Sequence, residues 1–197
     1  MTRMHWSLAA LVVAGTLLSG CATAWNEHLG VPLVWRAEDE ALIPVGVGLP
    51  GHRLRLARVV DRRPERALIG VNVQRPERTY RVTTADDVAG WATAQFARVL
   101  HRQGVVLVEA GETETLEVEL TRLMVTEGNR FLGNVEFSVR LLGPRGDVLW
   151  SGRLAGESRR WGRTYNLQNY YQAITIAFDN AARGLVTEPT FLAALSR

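Results

Sequence analysis

The stretch from residue 116 to 154 constrains the fold of this chain more than any other part. Leu116, Val118 and Leu120 alternate with Glu117, Glu119 and Thr121, so successive side chains fall on a dry and a wet face. The apolar parity then slips to Leu123 and Val125, which signals a bulge near Thr121-Arg122. After the polar turn EGN, Phe131, Val135, Phe137, Val139 and Leu141 hold odd positions against Asn134, Glu136, Ser138 and Arg140. GPRGD (143–147) reads as a hairpin turn. Val148, Trp150, Gly152 and Leu154 supply the next buried face, with Ser151 and Arg153 outward. Antiparallel strands with one apolar face must cover it.

Two segments supply the cover. Val88, Trp91, Ala92, Phe96, Val99 and Leu100 recur at three- and four-residue steps. With Thr84 as cap, Asp87 as its weak capping-box partner and Gly104 as terminator, this predicts a helix of about 18 residues. Leu167, Tyr170, Tyr171, Ile174, Phe178, Ala181, Ala182 and Leu185 form a second stripe from near Asn166 to Val186, stopped by Pro189. Phe191, Leu192 and Leu195 suggest one more docked turn. Ahead of the first helix, Arg53–Val60, Ala67–Val73 and Tyr80–Thr83 read as short strands, and Val105–Glu109 follows it as another. The expected fold class is α+β: a two-layer sandwich in which an antiparallel β-sheet is covered by two amphipathic helices, in strand–helix–strands–helix order.

The N-terminus carries a different signal. One Arg, Arg3, precedes an apolar run from Leu8 to Leu18, about 11 residues where a membrane-spanning helix needs roughly 20. Leu18-Ser19-Gly20-Cys21 matches the lipobox of bacterial lipoproteins. That resemblance implies lipidation of Cys21, which would become the acylated N-terminus, and Ala22 in place of Asp implies the outer membrane. An ordinary secretory signal is the alternative, but Cys21 is the only Cys in the chain. The expected organisation is a signal peptide (1–20), a lipidated N-terminus and tether (21–52) and a single periplasmic domain (53–197). The tether is rich in Pro and Gly, while its Trp25, Leu33, Val34 and Trp35 are apolar enough to pack along the domain.

Composition narrows the function. With 47% apolar and 22% charged residues over 197 positions, the chain is globular. All 23 basic residues are Arg; without Arg3 the balance is 23 − 1 − 20 = +2, too near neutrality to argue for nucleic acid. A lone Cys leaves no internal disulfide and no Cys-based metal site.

At this point the order of elements and several strings resemble the YajG family of Gram-negative envelope lipoproteins. The strings are LRLARVVDRRPERALIG (54–70), RVLHRQGVVLVE (98–109), TLEVELTRLMV (115–125) and EGNRFLGNVEFSVRLLGPRGDVLWSGRLAGES (127–158). WGRTYNLQ (161–168) departs from that family in being richer in Arg and Tyr. The resemblance implies a periplasm-facing lipoprotein with no catalytic residue to carry across. A related architecture occurs in PqiC-like auxiliary lipoproteins of envelope transport systems and, more loosely, in the lipopolysaccharide-assembly lipoprotein LptE.

Catalytic chemistry is thin. There is no Gly-x-Ser-x-Gly elbow, no pair of histidines at metal-ligand spacing, and VGVGLPG (45–51) lacks the Lys and helix of a phosphate loop. His101 reads as a cation near a helix C-terminus. Asp61 and Glu65, four apart on an expected exposed turn, lack the burial that tunes a general acid. The expectation is therefore a non-enzyme without cofactor or metal.

Three features could face a partner. Residues 53–81, including Arg62 and Arg63, hold nine Arg against Asp61, Glu65 and Glu77, whereas 109–136 hold seven Glu against Arg122 and Arg130. Either the basic segment meets a protein, lipid headgroup or glycan, or the two segments neutralise each other across the fold. Arg159, Arg160, Trp161 and Arg163, with Tyr165, form an Arg–aromatic cluster suited to an anion, saccharide or partner loop. Tyr170-Tyr171 reads mostly as core. Together these point to a membrane-anchored envelope lipoprotein of partner-binding or scaffolding type. The alternative is an auxiliary lipoprotein of an envelope ABC, lipid or lipopolysaccharide transport system, which needs an apolar groove between helix and sheet.

Overall fold

The computed structural model describes residues 28–34, 49, 51–75 and 77–196. Cys21, Trp25 and Trp35 lie outside them. Five short strands come first: β1 (His28–Gly30), β2 (Arg53–Leu56), β3 (Val60–Asp61), β4 (Leu68–Arg75) and β5 (Arg78–Thr83). Helix α1 (Val88–Arg102) and the two-residue β6 (Val106–Leu107) follow. Three long strands, β7 (Thr115–Glu127), β8 (Phe131–Leu142) and β9 (Val148–Arg160), then lead to α2 (Leu167–Val186) and the short α3 (Pro189–Leu195).

The alternating stretch forms the antiparallel β7–β8–β9 meander, and the expected bulge appears as a register shift between Leu120 and Arg122. A second shift, between Leu141 and Leu142, changes the parity of β9 at its start and leaves Val148, expected inside, 56% exposed. The sheet is mixed, which corrects the expectation of an antiparallel one. β2, β3 and β4 lie one after another along the other edge of β7, each parallel to it. A chain that must pass through α1 before reaching β7 returns in the same direction, and parallel pairing is the result. β1 in turn pairs parallel with β5, while Val31 and Leu33 beyond it are buried.

α1 starts three residues later than the capping-box reading placed it. Asp87 is the cap and its carboxylate accepts the Gly90 N–H at 3.0 Å. Thr84, just past β5, is still tied to the sheet edge by its N–H bond to the Ala67 carbonyl, so the chain must turn before winding. Asn166 caps α2 by accepting the Gln168 N–H at 2.9 Å, and Pro189 opens α3, where its missing N–H costs nothing.

Both long helices cover the face presented by Phe137. Phe96 of α1 and Phe178 of α2 meet Phe137 edge-on, with ring centroids 5.5 and 5.0 Å away, and Trp91 adds a further edge contact to Phe178. α2 comes closest to the sheet along Ala173, Ala177 and Ala181, a ridge at four-residue spacing. Opposite it stand Gly133 of β8 and Gly156 of β9. A Cβ on Gly156 would collide with the Ala177 carbonyl oxygen and the Ala181 amide, and one on Gly133 with the Ala173 carbonyl. Ser158, beside Gly133, donates to that same carbonyl at 2.7 Å.

α2 also buries a carboxylate. Burial pushes the Asp179 carboxyl up to about 6, against the opposing pull of Arg183, Arg102 and Arg98. The native state thus holds this proton more tightly than the unfolded chain, so this group's contribution to stability falls as pH rises from about 4 to about 6. Asp179→Asn is expected to remove that fall and to stabilise the protein at pH 7 by roughly 3 kcal/mol or less, in urea melts run across this range. Gly156→Ala is expected to cost about 2 kcal/mol or more by forcing backbone apart. An unchanged melting midpoint would contradict the close approach.

Candidate functional site

The Arg–aromatic cluster lies at one end of the long strands, where β7 turns into β8 and β9 leads into α2. The loop 161–166 that carries it is short, polar and exposed, and one buried acid holds it. Glu127, the last residue of β7, has no exposed surface. Its carboxylate accepts Asn72 Nδ2 at 2.7 Å, the Tyr165 backbone N–H at 3.1 Å and the Tyr170 hydroxyl. Burial and this carboxylate together push the Tyr170 phenol far above its ordinary range, so it remains a proton donor.

Further bonds fix the rest of the loop. Gln74 of β4 and Thr164 exchange side-chain hydrogen bonds, and Gln74 also donates to the Gly128 carbonyl at 2.9 Å. Asn169 donates to the Arg163 carbonyl at 2.9 Å. Tyr165 sits at φ 57°, a left-handed conformation unusual for a residue with a side chain, and its ring meets Tyr80 edge-on. The Arg130 guanidinium stacks 4.3 Å from the centre of the Trp161 ring, and Arg78 lies over Tyr80. Trp161 is nevertheless 66% exposed.

The candidate surface residues separate into two places. Arg159, Trp161 and Arg163 are exposed and Arg160 half-buried at this pole. Arg62 lies elsewhere, level with Glu119 in the middle of β7, and pairs with that acid at 3.0 Å. Eight residues of strand separate it from Glu127, roughly 25 Å. Arg63 is not on the surface at all, which corrects its reading as part of a partner face. It is buried and grips Asp61 with two hydrogen bonds, Nε to Oδ1 at 2.9 Å and Nη2 to Oδ2 at 2.8 Å. Its remaining donors go to the Leu68 and Arg66 carbonyls. The supposed exposed turn is therefore tied down by an internal ion pair, and Asp61 is buried rather than exposed. Glu65 is exposed and pairs with Arg81.

Among the described residues no group of three His, Cys, Asp or Glu could hold a metal ion. A hollow of about 690 Å³ is open at the start of α1 and walled by Arg58, Asp61, Arg66, Asp86 and Asp87 among others. Between the helices and the sheet, Phe96, Phe137 and Phe178 fill the interface where an apolar groove would have to lie.

Sequence reading named Tyr165 in the cluster but missed Glu127 and Asn72 as the fixtures of this pole. One signal was available: after the bulge, Leu123, Val125 and Glu127 share a parity, which sends the acid inward.

The fold has known counterparts. A DUF330 protein from Xanthomonas campestris superposes with a TM-score of 0.54 at 12% identity, covering 78% of this chain and 96% of that one. A hypothetical protein from Chlamydia trachomatis reaches 0.48 at 10% identity over 70% and 95% of the two chains. A minor lipoprotein from Acinetobacter baumannii reaches 0.46 at 16% over 72% and 94%. No family model and no curated relative matches the sequence. The likeness is one of fold.

Glu127→Ala would strand three donors in a dry space. It is expected to cost on the order of 3 kcal/mol and to speed amide hydrogen exchange across 161–166 before any other segment. Uniform exchange in the two proteins would remove Glu127 from this role.

Proposed function

We propose that this chain is a membrane-anchored cell-envelope lipoprotein, of the YajG-like type, that acts by presenting a rigid domain to partners rather than by catalysis. The observation that carries the reading is the sequence Leu18-Ser19-Gly20-Cys21 after a short apolar run, with Cys21 the sole cysteine. Two lipid signals already suffice for stable anchoring, and an acylated N-terminal Cys would supply three chains. No helix among the described residues is long and apolar enough to cross a membrane, so the proposed anchor is the lipid. The periplasmic face of the outer membrane is the proposed address, from Ala22. The half-wet sheet and the Arg–aromatic pole give the domain two surfaces for protein, lipid or glycan. The transport-auxiliary reading needs an apolar groove between helix and sheet, and the aromatic filling of that interface supports the simpler role.

Mass spectrometry of the native protein is expected to find Cys21 at the N-terminus with three acyl chains. Cys21→Ala is expected to remove that mass and to keep the protein out of the outer-membrane fraction. An unmodified thiol, or an N-terminus elsewhere, would overturn the reading.

A further inference from the structure

The Arg–aromatic pole combines features that a solvated loop does not need. Trp161, Tyr165 and Leu167 are 66%, 40% and 37% exposed, the first two on a loop whose backbone is held by hydrogen bonds to Glu127 and Asn169, the third at the start of α2. Such apolar groups are ordinarily turned inward, and holding them out costs burial that the domain could otherwise gain. Around them stand the guanidinium groups of Arg130, Arg159 and Arg163, all exposed. Two carboxylates lie near them: Glu127 is buried beneath the loop and takes its hydrogen bonds from Asn72, Tyr165 and Tyr170, while the exposed Glu157 shares a hollow with Arg159 alone of the three. Arginine forks match phosphate oxygens, and Trp and Tyr favour the headgroup level of a bilayer.

The path of the chain says which phosphates. β1 begins at His28, level with Arg81, and runs parallel to β5, so its first residue lies toward the Arg78–Tyr80 end of β5, where Tyr80 touches Tyr165. Just past β1, Pro32 and Val34 share a hollow of about 430 Å³ with Tyr165, Leu167 and Tyr171. His28 lies seven positions after Cys21, a reach of at most about 25 Å. A lipid on Cys21 therefore keeps this pole, and not the opposite one with α3, within a short span of the bilayer.

We infer that the pole formed by Arg130, Arg159, Trp161, Arg163 and Tyr165 docks on an anionic phospholipid surface, with the arginines over headgroup phosphates and Trp161 inserted at their level. This rests on the proposed acylation of Cys21. Because the loop is already held in place, docking orders little that was free, and the domain stands on its own membrane in one orientation.

The test uses the mature acylated protein reconstituted in vesicles of phosphatidylcholine alone, or of phosphatidylcholine and phosphatidylglycerol at three to one, both containing bromolipid. Subtracting the signal of Trp161→Phe isolates the quenching of Trp161. The expected result is a quenching roughly twofold or more higher in the anionic vesicles, reversed near 0.5 M salt. It should also be lost in the exposed-site triple variant Arg130→Gln, Arg159→Gln, Arg163→Gln at an unchanged melting temperature. The wild-type comparison between lipids and salts stands whether or not that variant folds. Protein retained on the vesicles with equal Trp161 quenching in both lipids overturns the docking alone. Trp161 unquenched by either lipid, and shielded only when periplasmic proteins are added, assigns the pole to a protein partner and also overturns it. Loss of the protein from both vesicles overturns the anchoring and the docking with it.

Discussion

The approach of α2 to the sheet is the contact on which the rest depends. Gly133 and Gly156 leave the strand surface bare where the Ala173–Ala177–Ala181 ridge crosses it. With backbones that near, Phe178 reaches the ring of Phe137 and Phe96 of α1 closes over both. The same seating fixes the other end of the helix, where Tyr170 packs edge-on to Phe131 and meets Glu127. Core packing and the exposed pole are thus two ends of one rigid element, and a change that lifts α2 disturbs both.

What was legible in the sequence was local. Alternation between Leu116 and Leu141 gave the β7–β8 pairing and its bulge because period two and its slip are written in the residues themselves. The stripe from Asn166 to Val186 and the stop at Pro189 were equally plain. Direction of pairing was not. Arg53–Val60 and Ala67–Val73 read as strands, but nothing in such short segments states that the first divides into β2 and β3, or that β2, β3 and β4 all run parallel to one partner more than fifty positions away.

Charge was harder to place than shape. Arg62 and Arg63 are neighbours in sequence, yet one pairs with Glu119 in solvent and the other is buried against Asp61. A guanidinium can be buried when a carboxylate and carbonyls take its donors, and only the folded path of 61–68 supplies those. The reading of basic and acidic segments as mutually neutralising captures the Arg62–Glu119 pair. It does not extend to Arg130, which stacks on Trp161 instead.

The divided edge of β7 has an evolutionary consequence. Three short partners, joined by 57–59 and 62–67, each set their own register on the long strand. An insertion or deletion among the exposed residues of a joint, such as 64 and 65, is absorbed there and leaves the next segment's pairing intact, whereas one inside β8 would turn every later side chain over. Length variation should therefore collect at these joints as such chains diverge, while the long hairpins keep a constant span.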